Sequence, residues 1–130
     1  VMLSGLDLLD LALGMSTAPV GILTHSEPAT VKMLADHPYR NRMSILGFND
    51  LKSWKATETP DYVAKGGWSE ESLKSEFLER LGPEIKFGKL QDVRSIVIEC
   101  TRMPKWRADI RKLTPVPIFD IKSFTQAALD

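Results

Sequence analysis

Ser95-Ile96-Val97-Ile98-Glu99-Cys100-Thr101-Arg102-Met103-Pro104 decides how the chain folds. Three β-branched apolar residues stand together with no polar alternation. A short continuous run of this kind reads as a strand buried on both faces, as in a parallel sheet. Pro104 suits the first turn of a helix. That helix is predicted through about residue 113, with Trp106 and Ile110 four apart on one face. Strand followed directly by helix is the repeating half of a β-α-β unit.

The same alternation continues on both sides. Val20-Gly21-Ile22-Leu23-Thr24 is a second buried run, bounded by Pro19 and by polar His25, Ser26 and Glu27. Pro28 suits the first turn of a helix preceded by Ser26 or Glu27. That helix carries Val31, Met33, Leu34 and Ala35 and ends before Pro38. Residues 43–48 and 116–121 are two more strands, and 123–129 a final helix. Ser69 reads as an N-cap, with Glu70 and Glu71 at the positive end of its helix. Leu73, Phe77 and Leu81 give that helix one apolar face, and Gly82-Pro83 is read as its end. Residues 84–92 show no period. Residues 49–67 read as a long loop with a short helical piece near Leu51 and Trp54.

Residues 2–13 form an amphipathic helix with a broad apolar face. Asp7 and Asp10 mark its narrow polar side, and Gly14 is its stop signal. The expected fold is α/β: a roughly four-stranded parallel sheet with helices on both faces. Its segments are an N-terminal apolar helix (1–16), the α/β domain (17–121) and a C-terminal helix (122–130).

A chain of 130 residues, 43% apolar and 26% charged, is sized and composed for one globular domain. Seventeen basic residues balance seventeen acidic ones, which argues against a nucleic-acid partner. Arg102, Lys105, Arg107, Arg111 and Lys112 cluster, but Glu99 and Asp109 interrupt them, and they are read as a solvated helix face. No apolar run approaches the ~20 residues of a membrane span. The first residues carry Asp7 and Asp10 and no basic region, unlike a signal peptide. A lone cysteine suits a reducing compartment, so a cytoplasmic protein is expected. The opening on Val1 instead of Met suggests a processed or truncated product.

Ligands of open parallel sheets bind beyond the carboxyl ends of the strands. Here those ends carry Thr24, His25 and Ser26; Phe48 and Asn49; Cys100 and Thr101; and Asp120. Cys100 bears the one thiol. The free N–H groups of the helix start that follows are expected to lower its pKa, and Arg102 would add to this if turned inward. Such a group can move a proton or attack a carbonyl, and Thr101 can hold a carboxylate with its hydroxyl and backbone N–H. The alternative is a small buried hydrophobe, the commoner state of a free cysteine. His25 is the second titratable candidate, against a merely hydrogen-bonded surface histidine. No metal-ligand spacing and no glycine-rich phosphate loop is present in the sequence.

Residues 95–104, then Ala108-Asp109-Ile110, then Pro115-Val-Pro-Ile-Phe-Asp120 together resemble the C-terminal half of the aspartate/glutamate racemase superfamily. Residues 20–24 match the strand that opens that half. The resemblance implies cofactor-independent (PLP-independent) proton transfer at a carbon beside a carboxylate, between two similar α/β domains. Racemases of this family use two cysteines on opposite faces of the substrate. Cys100 matches the second, and Thr101 the residue that binds the carboxylate. The first has no counterpart in this chain, and Arg102 stands where glutamate racemases carry His and aspartate racemases Glu. Related decarboxylases work with the one cysteine that corresponds to Cys100.

The expected function is therefore a racemase-type isomerase domain acting on an amino acid or related small acid, with Cys100 as acid/base. Thr101, Thr24, His25, Ser26 and Arg102 are the candidate substrate-binding residues, and no cofactor or metal is expected. A second half-domain or a homodimer would complete the site and cover the apolar helices at 2–13 and 123–129. The competing expectation is an inactive fragment, or a binding or self-associating domain, that keeps the fold.

Overall fold

The computed structural model describes residues 8–120. Four strands form one all-parallel sheet: β1 (Val20–Thr24), β2 (Met43–Gly47), β3 (Ser95–Ile98) and β4 (Ile118–Phe119). Their order across the sheet is β2-β1-β3-β4. The helices are α1 (Leu9–Met15), α2 (Glu27–Leu34), α3 (Lys52–Ala56), α4 (Tyr62–Lys65), α5 (Glu70–Phe87) and α6 (Arg107–Leu113), the last entered through a 3₁₀ turn at Met103–Trp106. The expected α/β class and parallel sheet are thus present. The final helix expected at 123–129 and the start of the one expected at 2–13 lie outside the described residues.

From β1 the chain steps one way to β2, then back past β1 to β3. Right-handed crossovers must then place their helices on opposite faces, and the two apolar layers follow that rule. Leu34 of α2 joins Leu9, Ala12 and Leu13 of α1 over Val20, Ile22, Met43, Ile45 and Val97. Leu73, Phe77 and Leu81 of α5, with Trp54, Trp106 and Ile110, cover Leu23, Leu46, Ile96, Ile98 and Ile118 on the other face. Strand residues thus alternate between two buried layers, which is why the strands read as unbroken apolar runs.

Several local readings are corrected. α5 does not stop at Gly82-Pro83 but runs through both to Phe87. Proline costs a helix its local hydrogen bond, yet Ile85 continues the four-residue spacing of Leu73, Phe77 and Leu81 and packs on the same core. Packing overrides the stop signal. The helix 2–13 was expected to end at Gly14 and extends to Met15. Of the apolar residues expected on α2, Val31 and Met33 are 37% and 65% exposed; Thr30 and Leu34 face inward. Residues 49–67 hold two short helices. α3 is tied to α5 by Glu76, which accepts the Ser53 backbone N–H at 2.9 Å and the Ser53 hydroxyl.

Nor is the basic cluster a merely solvated face. Arg102 and Lys105 both pair with Glu70, and Arg107 meets the buried Asp120 carboxylate at 2.7 Å. Arg107 also donates to Ile118 O at 2.9 Å, and Arg111 to Thr114 O (3.1 Å) and Val116 O (2.7 Å). Those three carbonyls are alternate residues leading into β4. At the opposite border of the sheet, Arg40, Lys89 and Arg80 donate to Met43 O (3.1 Å), Ile45 O (3.3 Å) and Gly47 O (3.0 Å), again alternate residues. Both sheet edges are therefore closed by long cationic side chains on outward carbonyls, a defence against edge-to-edge pairing.

Candidate functional site

The order of strand addition reverses between β1 and β3. Such a switch point leaves a crevice beyond the strand ends, where ligands of open α/β sheets bind. β1 delivers Thr24, His25 and Ser26 to it, and β3 delivers Glu99, Cys100 and Thr101. The Glu99 backbone N–H donates to Leu23 O at 2.9 Å, so the two strand ends are stitched together there.

Cys100 is partly buried against the core on the α5 side. The Arg102 backbone N–H points at Sγ from 3.4 Å, as expected for a turn that opens a helix. The expected fall in pKa is nevertheless reversed. Burial pushes the thiol above its ordinary value, the Arg102 N–H works against this, and the Glu99 carboxylate pushes the same way as burial. Desolvation outweighs the Arg102 and Met103 N–H groups, so Cys100 is a thiol at neutral pH. Alkylation checks this: iodoacetamide should modify Cys100 more slowly at pH 7.5 than the same cysteine in the urea-unfolded chain. Its rate should rise with pH along a curve displaced to the alkaline side. A curve displaced to the acid side would contradict the assignment.

All the other candidates but Thr101 have settled partners. Thr24 is buried, with its hydroxyl 2.7 Å from Thr30 Oγ1 and 2.9 Å from Glu99 Oε2. An ionised carboxylate only accepts, so the Thr24 hydroxyl donates to Glu99 and the Thr30 hydroxyl donates to Thr24. Ser26 caps α2, its Oγ accepting the Ala29 N–H at 3.3 Å. His25 Nε2 lies 3.4 Å from Glu58 Oε1, and its ring packs 5.4 Å from that of Trp54. Arg102 turns toward Glu70 at 3.5 Å and over Trp68 at 5.7 Å. Thr101 is exposed. Asp120, at the end of β4, is held by Arg107.

A cleft of about 560 Å³ lies elsewhere, past the end of β2 between α2 and α5. Arg80 grips Asp50 there with two hydrogen bonds, at 2.5 and 2.9 Å, which holds the Asp50 carboxyl below the usual carboxylate range. Lys89 pairs with Glu27 at 3.2 Å. Both cations also serve the β2 edge, so this cleft is walled by side chains already committed to the sheet. No group of His, Cys, Asp and Glu fit to hold a metal ion occurs among the described residues. Nor is any helix among them long and apolar enough to cross a membrane.

Sequence reasoning passed over Glu99, which it took only as an interruption of the basic cluster. The signal available was its place: a carboxylate one residue before the thiol, at the end of an apolar run. Comparisons of the chain with known protein families, with curated proteins and with solved structures give no match.

Proposed function

We propose that this chain is one half of a cofactor-independent racemase-type enzyme acting on a small carboxylic acid, with Cys100 as proton donor. The observation that carries the reading is the thiol at the switch-point end of β3, kept protonated by burial and met by the Arg102 N–H at 3.4 Å. A base on the far face of the substrate takes the proton from the carbon beside the carboxylate. Cys100 S–H returns a proton from its own face and becomes a thiolate, which the adjacent N–H group and the Arg102 charge stabilise. The carbon is left inverted. Thr101, exposed beside the sulfur, offers its hydroxyl and N–H to the carboxylate. The opposing base comes from a second copy of the chain.

Exchange of the α-proton of amino acids into deuterated water tests this reading. Wild-type protein should catalyse exchange, and Cys100→Ser should lower it by about 10²-fold or more, the usual contribution of a positioned acid or base. A folded wild-type protein that exchanges no amino acid would remove the reaction. It would favour the second reading, a binding or self-associating domain. That reading draws on the commitment of His25 to Glu58 and of Arg102 to Glu70.

A further inference from the structure

Residues 57–66 leave the end of α3 and return to it. A Cβ added at Gly67 would stand 3.5 Å from that of Ala56, so the two ends of the segment meet, as in an Ω-loop. Both flanks are fixed. Before the loop, α3 is tied to α5 through Ser53 N–H on Glu76 and the Trp54 indole N–H on Leu73 O. After it, the Trp68 ring lies 5.7 Å from the Arg102 guanidinium, and Ser69 caps α5. Between the flanks the hold is light. No residue of α4 is buried, and the Ala64, Lys65 and Gly66 N–H groups donate only to Asp61 O and Tyr62 O, inside the loop. Gly66 and Gly67 have φ of 71° and 84°, the region where glycine turns without strain.

Two contacts latch the loop down. Glu58 meets His25 at 3.4 Å, and Tyr62 O accepts the Trp68 indole N–H at 3.0 Å, with the two rings 5.3 Å apart. His25 and Cys100 stand two residues beyond the paired Leu23 and Ile98, which face the α5 side, so the alternation carries both to that side. Arg102, on which Trp68 rests, donates its backbone N–H to the Cys100 sulfur. The loop thus runs from the end of β1 to the end of β3, along the side of the crevice that holds the thiol.

We infer that residues 57–66 are a lid, closed in this structure, that swings about Gly66-Gly67 and admits ligands to the Cys100 side of the crevice. Glu58 and Tyr62 are its latches, and α3 and Trp68 its fixed posts. Segments that open are drawn from the least stable parts of a fold, and this one is held by few contacts. The inference goes beyond the proposed function: it needs the crevice and its thiol, not the proton transfer.

The rate at which N-ethylmaleimide modifies Cys100 in the full chain tests it. Glu58→Ala removes one latch. Trp68→Phe removes the N–H of the other and keeps a ring for Arg102. Each should speed modification about two- to fivefold at an unchanged urea midpoint. Asp10→Ala is the matched control. It breaks a pair of the same kind and length, His37 with Asp10 at 3.4 Å, joining α1 to the end of α2, and should leave the rate unchanged. Neither Glu58 nor Trp68 is among the groups that shift the Cys100 pKa, so the rate should rise at every pH with its midpoint in place. Unchanged rates in both variants, or an equal rise in Asp10→Ala, overturn the lid. A displaced pH midpoint also overturns it, since the residues would then act on the thiol's charge. Should a variant unfold, hydrogen exchange of the wild-type chain decides. The Ala64, Lys65 and Gly66 amides should exchange at least about tenfold faster than that of Glu99, which is bonded to Leu23 O. Exchange as slow as at Glu99 overturns the lid. A lid that opens in a chain with no α-proton exchange upholds this inference and removes only the reaction.

Discussion

Trp54→Ala is expected to cost about 4 kcal/mol of folding stability, within the range for deleting a buried tryptophan. Trp54 is fully buried. Its ring lies 5.6 Å from Phe48, 6.2 Å from Phe77 and 5.9 Å from Trp106, joining β2's end, α5 and the turn after β3. Its indole N–H donates to Leu73 O at 2.9 Å, inside the first turns of α5. Alanine leaves a void between large rigid rings that cannot collapse into it, and the cost of such voids rises with their volume. Natural domains hold only about 5–15 kcal/mol in total, so the variant should unfold at far lower urea, followed by far-ultraviolet circular dichroism. His25 also loses the surface it packs on. A loss below about 1 kcal/mol at an unchanged urea slope would mean that this aromatic cluster does not hold the α5 layer together.

Gly47→Ala should be nearly as damaging for an opposite reason, overpacking. A Cβ at residue 47 would stand 2.5 Å from both the Glu27 backbone nitrogen and its Cβ, and 2.9 Å from its Cα. Those atoms begin α2, so the start of the helix itself must move. The Gly47 N–H to Glu27 Oε1 bond, now 3.1 Å, moves with it. Overpacking of this kind costs roughly 1–3 kcal/mol, and the lost hydrogen bond adds about another 1 kcal/mol. Gly14→Ala is the matched contrast. Nothing lies within 4 Å of its added Cβ, and within α1 alanine should gain about 0.5–1 kcal/mol. Equal Tm values for the two variants would refute the close-approach argument.

The strands were legible because burial on both faces leaves an unbroken apolar run, and Ile22, Ile45 and Val97 are such residues. Helix starts were legible where a hydroxyl does the capping, as at Ser26 and Ser69. The end of α5 was not, because Gly82-Pro83 is a local signal and Ile85 answers to a contact distant in sequence. The thiol at Cys100 was placed correctly at the strand end, but its protonation was not readable. Its sign depends on how deeply the sulfur sits, and one helix start cannot report that. The basic cluster was misread for a related reason: the partners of Arg111 are carbonyls, which leave no mark on a charge pattern.

The guards on the two sheet borders also differ in when they are made. At β4, Arg107 is synthesised 11 residues before the Ile118 carbonyl it covers. At β2 the order is reversed: Arg80 follows Gly47 by 33 residues and Lys89 follows Ile45 by 44. A ribosome adding about 5–20 residues per second leaves β2 with only Arg40 in place for a few seconds. During that interval the outer edge of β2 is a template for another strand, so nascent copies on the same message are exposed to one another there.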